Sequence, residues 1–306
     1  MPKLLLANIA AAVSALSAGA AVVATRFVVG DLGPAELAFY RYVIGVLCLL
    51  PLLPLVWPRA GLGVAAVAKI ALFGAVFYGI FPWAFSAALQ YTSAARGAIG
   101  LATLPIQTLI VAAVLGKEVL TRSKLLSVAL AFAGIALVFG PEALRVDGSN
   151  YLIGDGLMLF GAFSAAVASV LGRSILAAHG PLFVTAVAMM FGVAALLPFA
   201  IADGAFLRLP ELSYHGWLAV LFLGTVGGAV QFSLFAWALR WLPPTRTVIY
   251  LSLNPISAVL LALAWLGESV TVTLVAGLVL VLTGIIIANL PRPEQPEPAA
   301  AASRSP

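Results

Sequence analysis

The chain has 306 residues, of which 63% are hydrophobic and 9% charged, with a mean hydropathy of +1.14 and a net charge of +5. An average soluble domain carries about 25% charged residues, so this composition excludes an ordinary soluble protein and indicates a protein of the lipid bilayer. Basic residues stand singly at the ends of apolar runs, which excludes a nucleic-acid partner. One cysteine and two histidines offer neither an internal disulfide nor a metal site, so we expect no cofactor.

Apolar runs of about 20 residues follow one another along the chain, each long enough to cross hydrocarbon as a helix. We predict an all-α membrane protein with ten transmembrane helices, at 4–29, 35–57, 65–89, 95–115, 123–140, 153–177, 181–202, 214–239, 245–266 and 272–290. The first run imitates a signal peptide, but we expect it to be retained because the run at 153–177 matches it in register.

A large part of the sequence occurs twice. At a shift of 150 residues, Arg96 meets Arg246, Pro105 meets Pro255, Glu118 meets Glu268 and Gly134 meets Gly284. Chance matches of Arg, Pro and Glu are much rarer than chance apolar matches, so the pattern predicts two copies of one unit. We place the first copy at 4–139, a linker at 140–152, the second copy at 153–290 and a disordered Pro/Ala/Glu-rich tail at 291–306.

The distribution of lysine and arginine predicts the orientation of the helices. With the N-terminus in the cytoplasm, eleven of the 16 basic residues fall on the cytoplasmic side. Ten helices then place both termini in the cytoplasm. Because five helices per copy is an odd number, the second copy enters the membrane from the opposite side. The repeats are therefore predicted to be inverted, as in carriers that expose a midplane site alternately to each side.

Every Asp and Glu falls in a loop, in the tail or near the end of a predicted helix, so no carboxylate is expected at mid-membrane depth. A proton- or sodium-coupled carrier usually needs such a group, and its absence favours movement down the substrate gradient. Glu118 and Glu268 follow the ends of the fourth and ninth helices. They are candidates for a gate, with the capping of a short loop as the structural alternative.

Polar residues form a stripe on the ninth helix and another on the fourth. Arg246, Tyr250, Asn254 and Ser257 share one face of the ninth helix; Arg96, Gly100, Thr103 and Gln107 share one face of the fourth. An amide unpaired in lipid is costly, so these faces are expected to line a cavity or to bond to a neighbouring helix. Pro105 and Pro255 lie beside the amides and predict helix bends.

Aromatic and polar residues on the third and eighth helices complete the expected site. We predict substrate contacts from Tyr78, Trp83, Ser86, Gln107, Ser164, Gln231, Tyr250, Asn254 and Ser257, and gating or helix-bend roles for Arg96, Pro105, Arg246 and Pro255. Aromatic walls with amides and hydroxyls suit a small amphipathic solute. The residue pattern of the fifth and tenth helices is almost purely apolar, which predicts peripheral helices.

Several local motifs resemble the EamA family of the drug/metabolite transporter superfamily. The matches are Gly33-Pro34 followed by Phe39-Tyr40-Arg41, Leu115-Gly116-Lys117-Glu118, Leu266-Gly267-Glu268, and Gly134 with Gly284. The resemblance covers about 4–290 and implies a substrate site in a central cavity lined by helices one to four and six to nine. Ala188 stands where the second copy would have a counterpart of Arg41, so any role of that arginine is confined to one copy.

The resemblance, together with the residues, predicts a bacterial inner-membrane exporter of aromatic and other neutral amino acids, working by alternating access as a monomer or homodimer. A multidrug or other metabolite exporter of the same fold is the alternative, although lipophilic cations would be expected to need a buried carboxylate. An enzyme is not expected, because the two histidines fall at helix ends and no catalytic pair lies at depth.

Overall fold

The computed structural model describes residues 2–58, 61–116, 121–143, 150–205, 212–238, 250 and 253–288, and the regular elements within these ranges are all helical. We number the helices in chain order: α1 Pro2–Val28, α2 Pro34–Val56, α3 Val64–Tyr91, α4 Ala94–Val114, α5 Arg122–Ala143, α6 Tyr151–His179, α7 Pro181–Asp203, α8 from Tyr214 to Ala238, α9 Leu253–Leu266 and α10 Val272–Ala288.

The predicted all-helical membrane architecture is confirmed for these residues. Seven of the helices (α1 to α4 and α6 to α8) are long and apolar enough to cross a membrane, since about 20 residues at 1.5 Å each span the hydrocarbon. The others are α5 and the shorter apolar helices α9 and α10. Much of the start of the predicted ninth helix, 245–252, lies outside the described ranges, as do Glu118, Arg246 and the tail.

Proline and glycine set most of the helix boundaries. Pro34 and Pro181 occupy the first turns of α2 and α7, where a missing N–H costs nothing. Gly116 and Gly267 end α4 and α9 with φ of 66° and 64°, a backbone region that favours glycine. The helices α3 and α8 each contain a π-helical segment, at Ala75–Ile80 and Thr225–Val230, which are related by the same shift of 150 residues as the sequence repeat.

Glycines bring several helix pairs into backbone contact. A Cβ on Gly74 in α3 would lie 2.2 Å from the carbonyl oxygen of Ala188 in α7, and one on Gly134 in α5 would lie 2.7 Å from that of Gly277 in α10. A Cβ on Gly284 in α10 would likewise lie 2.8 Å from the Ser127 carbonyl oxygen. Small residues allow such approach between membrane helices, and here they pack α5 against α10 along their length.

Candidate functional site

A cavity of about 510 Å³ lies between the helices. Its lining comes from α1, α2, α3, α4, α6, α8 and α9, which agrees with the expected central cavity except that no α7 residue appears among the described lining residues. Lys124 of α5 and Ile285 of α10 also reach the lining. The prediction that these two helices are wholly peripheral is therefore wrong.

Aromatic rings form one wall of the cavity. Phe77, Phe81 and Phe85 are spaced four residues apart on α3 and share one face, with successive ring centroids 6.0 Å apart. Phe232 of α8 faces them, its centroid 6.4 Å from that of Phe77, and Phe235 lies next to it in the lining. An aromatic or aliphatic group of a solute can pack against this apolar wall.

Another part of the lining consists of small residues of α1. Ser14, Ala15, Ala18 and Ala21 line the cavity, and short side chains leave room for a solute. On a neighbouring face of α1, a Cβ on Gly19 would lie 1.9 Å from the Ser257 hydroxyl and 2.4 Å from the Asn254 carbonyl oxygen. Glycine at this position thus lets α9 approach α1 closely enough for Asn254 to reach the cavity.

Two amide side chains supply polar atoms to the lining. Gln231 and Asn254 both line the cavity, and within the described part of the chain the Oε1 of Gln231 and the Oδ1 of Asn254 are buried without a hydrogen-bond partner. Their backbones are held in place, because the Ser14 hydroxyl donates to the Gln231 carbonyl at 2.9 Å and the Ser257 hydroxyl donates to the Asn254 carbonyl at 3.0 Å. A buried acceptor without a donor is costly, so both oxygens are poised for a ligand.

Arg41 is a lining residue that the sequence reasoning did not select. It is only 8% exposed, its Nη2 donates to the Gly227 carbonyl at 2.9 Å, and its guanidinium carbon lies 5.4 Å from the centre of the Tyr42 ring. The available signal was its position two turns inside an apolar run, since a charge within a membrane segment is costly unless it has a function. In the sequence, Arg41 stands out only as part of the Phe39-Tyr40-Arg41 motif of the family resemblance.

Pro105 and Pro255 both line the cavity. The helix α4 is interrupted at Thr103, between the segments Ala94–Ala102 and Leu104–Val114, and Pro105 lies in the first turn of the second segment. The missing N–H of a proline explains why the segment restarts there. Pro255 lies near the start of α9.

Comparison with known proteins identifies the family. A model of the EamA-like transporter family matches residues 5–140 and again 152–290. The chain belongs to this family. An uncharacterized transporter of Archaeoglobus fulgidus is 29% identical over 70% of this chain and 74% of its own length. The uncharacterized transporter YyaM of Bacillus subtilis is 25% identical over 89% of each chain.

A solved crystal structure shares the fold of this EamA-like transporter. It covers 92% of this chain and 96% of its own, with a TM-score of 0.61 and 20% sequence identity. At that identity the likeness concerns the arrangement of helices. The family members named above are transporters, which fits the expectation that this chain is not an enzyme.

Three predicted substrate contacts on α3 of this EamA-like transporter lie outside the cavity lining. Tyr78 is buried in an aromatic cluster, with ring centroids 5.3 Å from Tyr42 and 5.6 Å from Phe232. Trp83 is 38% exposed, and Ser86 is buried. Tyr78 therefore supports the cavity wall from behind, while its own contact with a substrate stays a prediction, as do those of Trp83 and Ser86.

The polar stripe of α4 is directed mainly towards neighbouring helices. The side chain of Gln107 donates to the Thr103 hydroxyl at 2.8 Å and to the Leu159 carbonyl of α6 at 3.4 Å. Arg96 pairs with Asp155, donates to the Val138 carbonyl at 2.8 Å and lies over the Tyr151 ring. Neither residue lies in the lining, and their geometry is that of interhelical bonds, the alternative left open above. A gating role for Arg96 stays a prediction.

The remaining predicted contacts make hydrogen bonds beside the cavity, within one helix for Ser164 and between helices for Ser257 and Tyr250. Ser164 is buried and donates to the Gly161 carbonyl at 2.8 Å, and Ser257 lies 3.4 Å from the Leu16 carbonyl as well as bonding Asn254. The Tyr250 hydroxyl donates to the Asn8 side chain at 2.9 Å, joining the region before α9 to α1. None of the three appears in the lining, and Arg246 lies outside the described ranges.

Two carboxylates cap helices: Asp203 caps the start of α2 and Glu268 caps the start of α4. We call the end of the molecule that contains these four parts the capped end. Asp203, the last residue of α7, accepts from the Ala35 N–H at 2.8 Å and the Glu36 N–H at 3.4 Å. Glu268 accepts from the Ala94 and Ala95 N–H groups at 2.7 and 3.0 Å. A carboxylate at a helix N-terminus is stabilised by the unpaired N–H groups and the helix dipole. Glu268 therefore caps a helix of the other half of the chain, not its own loop.

Proposed function

We propose that this EamA-like transporter exports aromatic and other neutral amino acids, together with related small metabolites, across the bacterial inner membrane. The observation that carries the proposal is the cavity, whose lining combines an aromatic wall with two buried amide oxygens that have no hydrogen-bond partner among the described residues. A neutral amino acid offers an apolar side chain to the first and hydrogen-bond donors to the second.

Alternating access between two inverted five-helix units, with both termini in the cytoplasm, is the mechanism we propose. In support, the family matches the chain twice, and the π-helical segments of α3 and α8 recur at the shift of the sequence repeat. Transporters built in this way bind substrate between the repeats and expose it by rocking one against the other. The capping of α2 by Asp203 and of α4 by Glu268 would hold one end closed while substrate enters from the other.

A lipophilic cation is a poorer fit, although the apolar wall alone would accept a drug. Among the described lining residues none is an aspartate or glutamate, so the cavity offers no counter-ion for a permanent positive charge. Multidrug export is therefore the second candidate, supported only by the aromatic surface.

One competition assay distinguishes the candidates. Liposomes that contain the purified protein are loaded with phenylalanine, and counterflow uptake of labelled phenylalanine is measured. Each of the twenty amino acids, and each of several cationic dyes, is added in turn as a competitor. We expect competition from aromatic and large neutral amino acids and none from the dyes. Competition from the dyes alone would replace amino-acid export with multidrug export.

A further inference from the structure

The buried guanidinium of Arg41 has more hydrogen-bonding capacity than its surroundings use. A guanidinium carries five N–H donors, and it stays protonated in proteins. In the described residues Arg41 makes one hydrogen bond, to the Gly227 carbonyl, its Nε has no partner, and no carboxylate lies within ion-pair distance. The contact with the Tyr42 ring offsets only part of the cost of burying the charge.

The position of this charge in the cavity distinguishes it from Arg96. Arg96 is neutralised by Asp155, whereas Arg41 lines the cavity and forms no ion pair with any acid in the described part of the chain. Gly227, to which Arg41 bonds, lies on α8 four residues before Gln231, and Ala21 and Ser14 of α1 line the same space. The cation and the amide acceptors thus belong to one chamber.

We infer that Arg41 binds the carboxylate of the transported solute, and that the site recognises a zwitterion. This inference rests on the proposed function and deepens it. The two oxygens of a carboxylate accept two parallel N–H bonds from a guanidinium, which is the strongest pairing available to the free donors of Arg41. The ammonium group of the same solute donates to Oε1 of Gln231 and Oδ1 of Asn254, and its side chain packs against the wall formed by Phe77 and Phe81.

Recognition of a zwitterion also explains the composition of the lining, in which the Arg41 cation and the uncharged amide oxygens occur together without a carboxylate among the described residues. The solute brings its own negative charge to Arg41 and leaves with it, so the transporter needs no internal counter-ion. A solute with an ammonium group but no carboxylate would leave Arg41 unpaired and would add a further positive charge to a chamber already lined by Arg41 and Lys124, which is unfavourable at low dielectric.

The test uses two analogues of phenylalanine that each lack one charge: phenethylamine without the carboxylate and 3-phenylpropanoate without the ammonium group. In liposomes with the full-length protein, counterflow of labelled phenylalanine is measured against each competitor. We expect 3-phenylpropanoate to compete and phenethylamine to bind about 10- to 100-fold more weakly than phenylalanine, the range of one charged hydrogen bond. Equal competition by phenethylamine overturns the inference without any mutation.

Variants test the residue itself. Arg41→Gln is expected to lose the preference for 3-phenylpropanoate over phenethylamine, and Arg41→Lys to keep part of it. Arg26→Gln, a change of a partly buried arginine outside the cavity lining, serves as the matched control and is expected to keep the wild-type preference. A folded Arg41→Gln that retains the preference overturns the inference, because a purely structural bond to Gly227 would not set selectivity.

The outcome also separates this inference from the proposed function. If phenylalanine is not transported, thermal stabilisation of the detergent-solubilised protein by 3-phenylpropanoate is compared with that by phenethylamine. Stabilisation by the carboxylate alone that disappears in Arg41→Gln sustains carboxylate binding and rejects amino-acid export. Stabilisation by neither compound, or by both equally, rejects carboxylate binding by Arg41.

Discussion

At the scale of single residues, Asn254 and Gln231 carry the buried side-chain oxygens that have no hydrogen-bond donor in the described part of the chain. Asn254→Leu removes such an acceptor without breaking a side-chain hydrogen bond to its Oδ1. We expect folding to be retained and substrate affinity to fall by about 10- to 100-fold, since a bond to a charged donor contributes about 1.5–3 kcal/mol. Counterflow measured over a range of phenylalanine concentrations checks this.

Gln107→Leu is the matched control for that prediction. Its side chain bonds Thr103 and Leu159, so its loss is expected to lower the unfolding temperature and to leave substrate selectivity unchanged. If Gln107→Leu alters selectivity while Asn254→Leu does not, Gln107 contacts substrate as the sequence stripe predicted.

Gly19 is the residue on which the approach of α1 to α9 depends. A methyl group there would meet the Ser257 hydroxyl and the carbonyl oxygen of Asn254, which belongs to the backbone and cannot turn away. We expect Gly19→Ala to destabilise the protein by about 1–3 kcal/mol, the usual cost of overpacking. Gly30→Ala, with no atom within 4 Å of the added methyl, is the control. Equal melting temperatures for both variants in detergent would show that α1 and α9 separate freely.

At the scale of helices, the bond from Glu268 to the start of α4 is the contact most suited to breaking during transport. It joins the two halves of the chain and consists of two N–H groups and one carboxylate, without apolar burial of its own. Removing a helix cap costs about 0.5–2 kcal/mol, which is enough to change the population of a closed state several-fold.

Glu268→Gln tests this contact. Ala98 lies one turn further along α4 and is 1% exposed, so a cysteine there in a Cys48→Ala background reports opening of the capped end. We expect maleimide to label Ala98→Cys several-fold faster when Glu268→Gln is also present. Asp31→Asn, an exposed acid near the same end, is expected to leave the labelling rate unchanged. No acceleration in Glu268→Gln would mean that other contacts keep this end closed.

Helix positions were predictable because the apolar runs, the prolines and the end glycines such as Gly116 and Gly267 are local signals. The face that each helix turns inward was not, since lipid and protein interior are equally apolar and leave little periodicity to detect. The polar stripes of α4 and α9 therefore face different surroundings: Asn254 of α9 lines the cavity, whereas Gln107 of α4 donates a hydrogen bond to α6. The sequence shows Arg41 as a charge inside an apolar run, but it does not show that the guanidinium lines the cavity without a carboxylate partner among the described residues, because that depends on three-dimensional packing.

At the scale of the whole molecule, three of the described acids, the buried Asp155 and the partly buried Asp203 and Glu268, are already engaged. Asp155 pairs with Arg96 and accepts from the Thr92 hydroxyl at 2.9 Å, and Asp203 and Glu268 cap helices. A carboxylate that carries a coupled proton must release these partners in every cycle. Since the described cavity lining contains no aspartate or glutamate, we expect the transporter to move its substrate down the gradient of that substrate alone.

Imposed gradients in liposomes check this expectation. A transporter that moves one proton with each phenylalanine would convert a difference of one pH unit into about tenfold accumulation, because the two gradients balance at equilibrium. We expect no accumulation from a pH step of either sign, and counterflow of equal rate with and without an uncoupler. Active liposomes are identified by that counterflow, so an absence of accumulation is not confused with inactive protein. Accumulation driven by the pH step would assign coupling to an acid such as Asp155, and Asp155→Asn would then be expected to abolish it.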